Sequence, residues 1–422
     1  MAEVRGFSAY RFDPAVVGNL DDVVTPPFDV ITEDERVMLS ARSPYNYTHV
    51  ILPQDGNGKS KYDVAAGLLG KWIAEGALKQ DNEESFYLLE QTFTALDGAT
   101  CIRRGFFGVA KVPEPGEDTV LGHERTFEWK VTDRLALTEA TKTNLGAVFV
   151  LYKDDNHELG PFLNQMNLRA PDLEARTFEG VTQKVWRVKA DPAVTAFFKD
   201  KKLYIADGHH RYRTAHTYRD KMRLQEHPEG PRPYNYVLMG FIAMYDEGLF
   251  VYPAHRVIDL PQGFNEQKFL KDLEPWFEVL PVDSDLAEHV REEEECAIGL
   301  ALRGGKRFVL RLRDIERVKL LGDQHGPAWR DLDVSVLHGG ILERLLHFAP
   351  DAVHIYEKDP AIAIDMVESG KKGAAFILRN MQPSQVCACA EARESMPQKA
   401  TYFFPKLPSG AAIYVHEAPA AT

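Results

Sequence analysis

Apolar and polar positions along the chain alternate with two periods, and the change from one to the other is sharpest near residue 207. Leu203-Tyr204-Ile205-Ala206 is an unbroken apolar run with aromatic and β-branched members, which reads as a buried strand. Asp207-Gly208 ends it. From His209 the spacing becomes helical, with Arg211, Ala215, Tyr218 and Met222 on one stripe. Residues 201–222 therefore run strand, tight turn, helix. Elsewhere the same patterns predict strands over 85–95 and 102–111, joined as a hairpin through Asp97-Gly98. Further strands are expected over 48–52, 145–152, 180–188 and 234–244, with 249–256 as the partner of the last. Helices are expected over 33–42, 61–76, the second half of 121–144, 192–199, 264–276, 334–348 and 360–370. Two prolines make 23–31 an extended loop. Residues 297–303 and 307–313 read as a second hairpin through Gly304-Gly305, and 373–379 and 411–416 as strands.

Helical and strand segments are interspersed, so the fold class is mixed α/β. At 422 residues the chain is long enough for two to three domains. The expected division is an N-terminal α/β domain over 1–258 that carries the turn at 207–211, and a C-terminal α+β domain over 259–422. The Pro-punctuated stretch 397–406 is expected to return towards that turn.

The net charge of −13 argues against broad binding of nucleic acid or anionic membranes. Any anion site must then be local. Four cysteines without a CxxC pair read as reduced thiols, with Cys387 and Cys389 at strand spacing. No apolar run is long enough to span a bilayer, and the first residues lack a signal-peptide core, so a cytoplasmic location is expected.

Asp207-Gly208-His209-His210-Arg211 is the most specific stretch. A helix N-terminus offers backbone N–H groups and the positive end of the helix dipole. Gly208 lets a ligand approach, and Arg211 supplies a planar fork for phosphate or carboxylate. The physical reading is a phosphate site. His209 and His210 are candidate donors to phosphate oxygens. Asp207 is a candidate ligand for a divalent cation such as Mg2+, an orienter of a histidine, or an acceptor of a hydroxyl proton. Simple helix capping by Asp207 and a zinc site at the histidines are the competing readings. His123-Glu124-Arg125-Thr126 contributes Glu124 as a candidate general base or metal ligand, against the alternative of a solvated carboxylate. Lys130 and Arg134 lie four apart on one helical face and form a candidate anion clamp. Lys399, on the 397–406 loop with Lys406, is a candidate phosphate contact. Thr25–Pro26–Pro27–Phe28–Asp29 and Pro44–Tyr45–Asn46 are candidate pocket walls. Walker A, GxGxxG, GxSxG and HExxH signatures are absent from the sequence.

HERT, followed by Lys130, Asp133-Arg134-Leu135 and Asn144, then YIADGHHRY, with PPFDVI, PYN and MPQKATYFFPK, resembles the bacterial and archaeal family known as domain of unknown function 1015. The DGHHR turn is similar to the phosphate-binding turn of the ParB/sulfiredoxin superfamily, which includes free-serine kinases. That resemblance implies a ParB/sulfiredoxin-like nucleotide-binding core. It maps Asp207, Gly208, His209, His210 and Arg211 onto the phosphate turn, and Glu124 onto an upstream glutamate that acts as base.

The expected activity is phosphoryl transfer to a small hydroxyl metabolite, serine kinase-like, with ATP or ADP and Mg2+ as cofactors. Serine or phosphoserine is the expected substrate class, and self-association into a homo-oligomer stays open. Two alternatives remain: a small-molecule phosphatase of phosphoserine type, and a nucleotide-binding regulator without catalysis.

Overall fold

A computed structural model describes residues 2–56, 58–350, 352 and 354–419. The chain divides into two compact units. The first comprises residues 1–122, 126–250 and 405–422; the second comprises 123–125 and 251–404. The crossing near 250 falls eight residues before the expected boundary at 258. The last residues belong with the first unit, which a single cut does not provide for.

The first unit is built on a nine-stranded mixed sheet. In chain order its strands are β1 (Val4–Arg5), β2 (Ser85–Thr94), β3 (Thr100–Lys111), β4 (Val120–Leu121), β5 (Val148–Tyr152), β6 (Leu173–Arg176), β7 (Thr182–Lys189), β8 (Leu203–Asp207) and β9 (Tyr236–Ala243). They lie in the order β4-β8-β5-β9-β3-β2-β7-β6, with β1 also paired to β3. The hairpin of β2 and β3 forms as its alternation and Asp97-Gly98 predict, with Tyr87 opposite Phe107 and Thr94 opposite Thr100. β8 is antiparallel to β5, and its register slips between Ile205 and Asp207. Such a bulge re-aims the next side chain, and here that side chain is Asp207.

Apolar residues on both faces of the sheet are buried, and one face carries an aromatic cluster. Phe86, Phe106, Tyr152, Phe162, Phe198 and Phe241 meet there edge-on, tilted or stacked, with Phe106 and Phe241 11° from parallel at 4.9 Å. Each buried aromatic removes a large apolar area from water, and these contacts anchor the strands that carry the turn. Helices α1 (Thr48–Ile51), α2 (Lys61–Ala74), α3 (Glu128–Thr141) and α4 (His209–Glu226) belong to the same unit.

The second unit holds a six-stranded antiparallel sheet. Its strands are β10 (His255–Ile258), β11 (Phe277–Pro281), β12 (Ala297–Leu302), β13 (Lys306–Leu312), β14 (Ile355–Glu357) and β15 (Ala374–Leu378), in the order β11-β13-β12-β15-β10-β14. The segment Val336–Glu343 winds as a π-helix. A Cβ on Gly340 would stand 3.0 Å from Leu320 and one on Gly339 3.2 Å from Leu321, so Gly339-Gly340 is a site of close packing. Among the described residues no helix is long and apolar enough to cross a membrane.

Three local expectations are overturned. Residues 48–52 form helix α1, because the Asn46 carboxamide accepts both the N–H and the hydroxyl of Thr48 and folds the chain into a turn. Residues 249–256 do not pair with β9; β10 lies instead in the second unit's sheet. Cys387 and Cys389 sit in the helix Pro383–Glu391, started by a proline in its first turn and a Gln382–Gln385 capping box.

Candidate functional site

The strand-to-turn-to-helix passage forms as the sequence predicts. β8 ends at Asp207, Gly208 takes a left-handed backbone with φ of 92°, and the 18-residue helix α4 starts at His209. Glycine is required twice over. Other residues are strained at that φ, and a Cβ there would stand 3.0 Å from the Arg211 guanidinium carbon. No side chain caps α4, so the positive end of its dipole is left to its surroundings.

Asp207 and Arg211 form the centre of the turn. The Arg211 Nη2 donates to Asp207 Oδ2, and Nη1 donates to the Ala147 carbonyl. Asp29 Oδ2 lies 3.6 Å from the same guanidinium. Lys406 donates from Nζ to the other Asp207 oxygen at 2.6 Å. Burial alone would push the Asp207 carboxyl up, but Lys406 and then Arg211 outweigh it and hold it far below the usual carboxylate range. Burial also opposes the Arg211 charge, and Asp29 and Asp207 more than offset it. The Arg211 Nε–H is buried and has no hydrogen-bond partner among the described residues. Leaving such a donor unsatisfied costs about 1–3 kcal/mol, so this atom asks for a ligand.

Lys406 is itself held from behind. The Gln91 amide donates to the Lys406 carbonyl at 2.9 Å and to Gln183 at 2.8 Å, while Arg103 donates to Gln91 and to the Pro405 carbonyl. A buried network of this kind fixes the backbone from which the ammonium reaches Asp207.

The two histidines have different tasks. His209 is buried, and its ring lies so close to Gly122 that a Cβ there would meet it at 2.9 Å. Burial drives its pKa down to about 3 despite the pull of Asp207. His210 accepts the Phe127 N–H on Nε2 at 3.0 Å, and the two rings are 9° from parallel at 6.0 Å. With Nε2 accepting, a neutral His210 carries its proton on Nδ1. The ring ties α4 to the start of α3, where the sequence reading has a phosphate donor.

A neutral His209 has a consequence for pH. Its folded pKa is depressed, so the unfolded chain binds the extra proton first as pH falls below about 6.5. The stability this group contributes is present above that pH and is lost between about pH 6.5 and 3. At pH 5 the loss is about 2 kcal/mol for this one group. Thermal melts at pH 7.5 and 5 should show a large drop in midpoint that is smaller in His209→Gln.

Arg134 and Arg211 both line a cavity of about 50 Å³, together with Pro27, Phe28, Asn144 and Ser409. This volume accommodates water or one small polar group. Arg134 donates to the Ile51 carbonyl at 2.7 Å, and its guanidinium lies 4.3 Å from the centre of the Phe28 ring. Asp133, held by Lys61 at 2.6 Å and by Arg134, titrates down at about 2: burial would raise it, and Lys61 and Arg134 overcome that. Lys130 does not line this cavity. Its ammonium lies 5.6 Å from the Phe127 ring and 5.4 Å from the Trp129 ring. The expected Lys130–Arg134 clamp is therefore split between two surroundings.

Glu124 and Lys399 belong to the second unit. Glu124 is half-buried between His123, whose carbonyl accepts the Met396 N–H at 2.8 Å, and exposed Arg125. Lys399 is exposed, with a left-handed φ of 53°. Asp207 does not fit the expected magnesium ligand as it stands, because both its oxygens already accept from cationic side chains. Lys406 and Asp29 are the residues whose roles sequence reasoning left undefined. The signal for Lys406 was its place between prolines in an apolar stretch, where a lysine needs a buried partner.

The family described as protein of unknown function DUF1015 matches residues 4–335. The chain belongs to that family. No curated protein matches the sequence. Solved structures to which this DUF1015 chain is similar include a conserved hypothetical protein from Pyrococcus furiosus, at 13% identity and a TM-score of 0.34, covering 72% of this chain and 93% of that one. A free serine kinase in complex with AMP is similar at 12% identity and a TM-score of 0.35, covering 70% and 86%. SbnI with a C-terminal truncation, from Staphylococcus aureus, is similar at 12% identity and 0.34, covering 71% and 84%.

Proposed function

We propose that this DUF1015 protein binds the phosphates of a nucleotide, ATP or ADP, at the turn Asp207–Arg211 and transfers a phosphoryl group to a small hydroxyl metabolite such as serine. The observation that carries the reading is the unpartnered, buried Arg211 Nε–H beside the uncapped start of an 18-residue helix, entered through a left-handed glycine. These are the components of a phosphate cradle: a charged fork, oriented backbone N–H groups and close backbone approach. The resemblance of the DGHHR turn to that of the ParB/sulfiredoxin superfamily supports the same reading.

In this account Arg211 binds and orients the phosphate and neutralises charge as it develops. Asp207 fixes the Arg211 fork and the Lys406 ammonium. Its oxygens are committed, so it is a positioning residue in place of a metal ligand or base. Glu124 is the proposed base that takes the hydroxyl proton of the acceptor. Phosphoryl transfer asks little more of a protein than position and charge stabilisation.

The committed state of Asp207 also favours a second reading, a nucleotide-binding regulator, because no carboxylate of the turn is left for metal chemistry. Glu124→Gln separates the two. Catalysis requires ATP-dependent phosphorylation of serine or a related small alcohol, lost in the variant with ATP binding retained. ATP binding without turnover in the parent protein selects the regulator.

A further inference from the structure

We propose that Trp129 is the stacking platform for the purine base of the bound nucleotide, with Phe127 and Lys130 holding it in place. The inference rests on the nucleotide reading of the Asp207–Arg211 turn and extends it from the phosphates to the base.

Trp129 is 69% exposed, whereas Trp72, Trp186 and Trp329 are buried and Trp276 is half-buried. Trp129 therefore presents a large aromatic ring to solvent in the first turn of α3. Its position ties it to the phosphate turn. Two residues before it, Phe127 donates its N–H to His210 at 3.0 Å and lies against the His210 ring, 9° from parallel. His210 is itself the second residue of α4. The start of α3, with its exposed aromatic, is thereby fastened to the first turn of the helix whose N-terminus is the proposed phosphate cradle.

Phe127 has His210 beside one face of its ring and Lys130 at 5.6 Å, and is 38% exposed, less than Trp129. Trp129 has Lys130 at 5.4 Å and is otherwise mostly open. Lys130 thus stands among the rings as a cation that steadies them by cation–π attraction. An indole offers the widest aromatic face of any side chain, which suits a purine. Stacking is tolerant of base identity, because every base has a π-face. The site should therefore discriminate weakly between ATP and GTP.

The test compares ATP with inorganic tripolyphosphate on the full chain and on Trp129→Ala, by calorimetry. Trp129 is exposed, so the substitution leaves the core untouched. ATP affinity should fall by about 5- to 150-fold, the equivalent of losing one base-stacking contact, and Trp129→Phe should recover part of it. Tripolyphosphate affinity should be unchanged. ATP should also quench the fluorescence of the parent protein, and this quenching should vanish in Trp129→Phe. Equal ATP affinity in parent and Trp129→Ala, with tripolyphosphate still bound, would overturn the platform and leave the phosphate site standing. Binding of neither ligand to the parent protein would overturn both.

Discussion

Replacing Lys406 with methionine should destabilise the protein by about 3–5 kcal/mol, the cost of removing one partner from a buried ion pair. The Lys406 side chain is 6% exposed and that of Asp207 17%, and they meet at 2.6 Å. Methionine keeps much of the volume and removes the charge. Asp207 is then left with the Arg211 guanidinium alone, which Asp29 shares at 3.6 Å. Urea denaturation followed by circular dichroism reads the loss. Asp207→Asn in the Lys406→Met background should recover part of it, since the uncompensated carboxylate is gone. A loss below about 1 kcal/mol, the range of an exposed ion pair, would mean that Lys406 does not hold the turn.

Arg211→Lys should weaken ATP binding about 10- to 100-fold while keeping the charge. A hydrogen bond to a charged group contributes about 1.5–3 kcal/mol, and the ammonium cannot reproduce the guanidinium's fork. The Arg211 side chain makes two hydrogen bonds, Nη2 to Asp207 and Nη1 to the Ala147 carbonyl, and leaves its buried Nε without a partner among the described residues for the proposed ligand. A lysine satisfies at most the charge of the first. ATP-dependent thermal shift in the parent and the variant checks this. An unchanged shift would remove Arg211 from the binding site.

The turn was legible because its signals agree at every level. A β-branched apolar run, a glycine and a helical period leave one way to fold residues 203–226, and β8 and α4 form there. The β2–β3 hairpin was legible for the same reason. The region 48–52 misled because its β-branched residues favour a strand, while the local hydrogen bonds of Asn46 to Thr48 decide for a helix. The charge state of the turn was not legible either. Two histidines, an arginine and a lysine suggest a strongly electropositive cradle. The structure pairs Arg211 and Lys406 with Asp207 and Asp29, and His209 is kept neutral by burial. That balance depends on Asp29 and Lys406, which lie 178 and 199 residues from Asp207 along the sequence, and spacing within a motif carries no trace of it.

Backbone amide chemical shifts report most directly on whether phosphate rests on the start of α4. In a deuterated, 15N-labelled sample titrated with ATP, the N–H signals of Gly208, His209, His210 and Arg211 should move downfield together and saturate, as they do when a phosphate accepts from a helix N-terminus. If ATP binds while those four signals stay still and the largest shifts fall elsewhere in the chain, the turn is not the phosphate site.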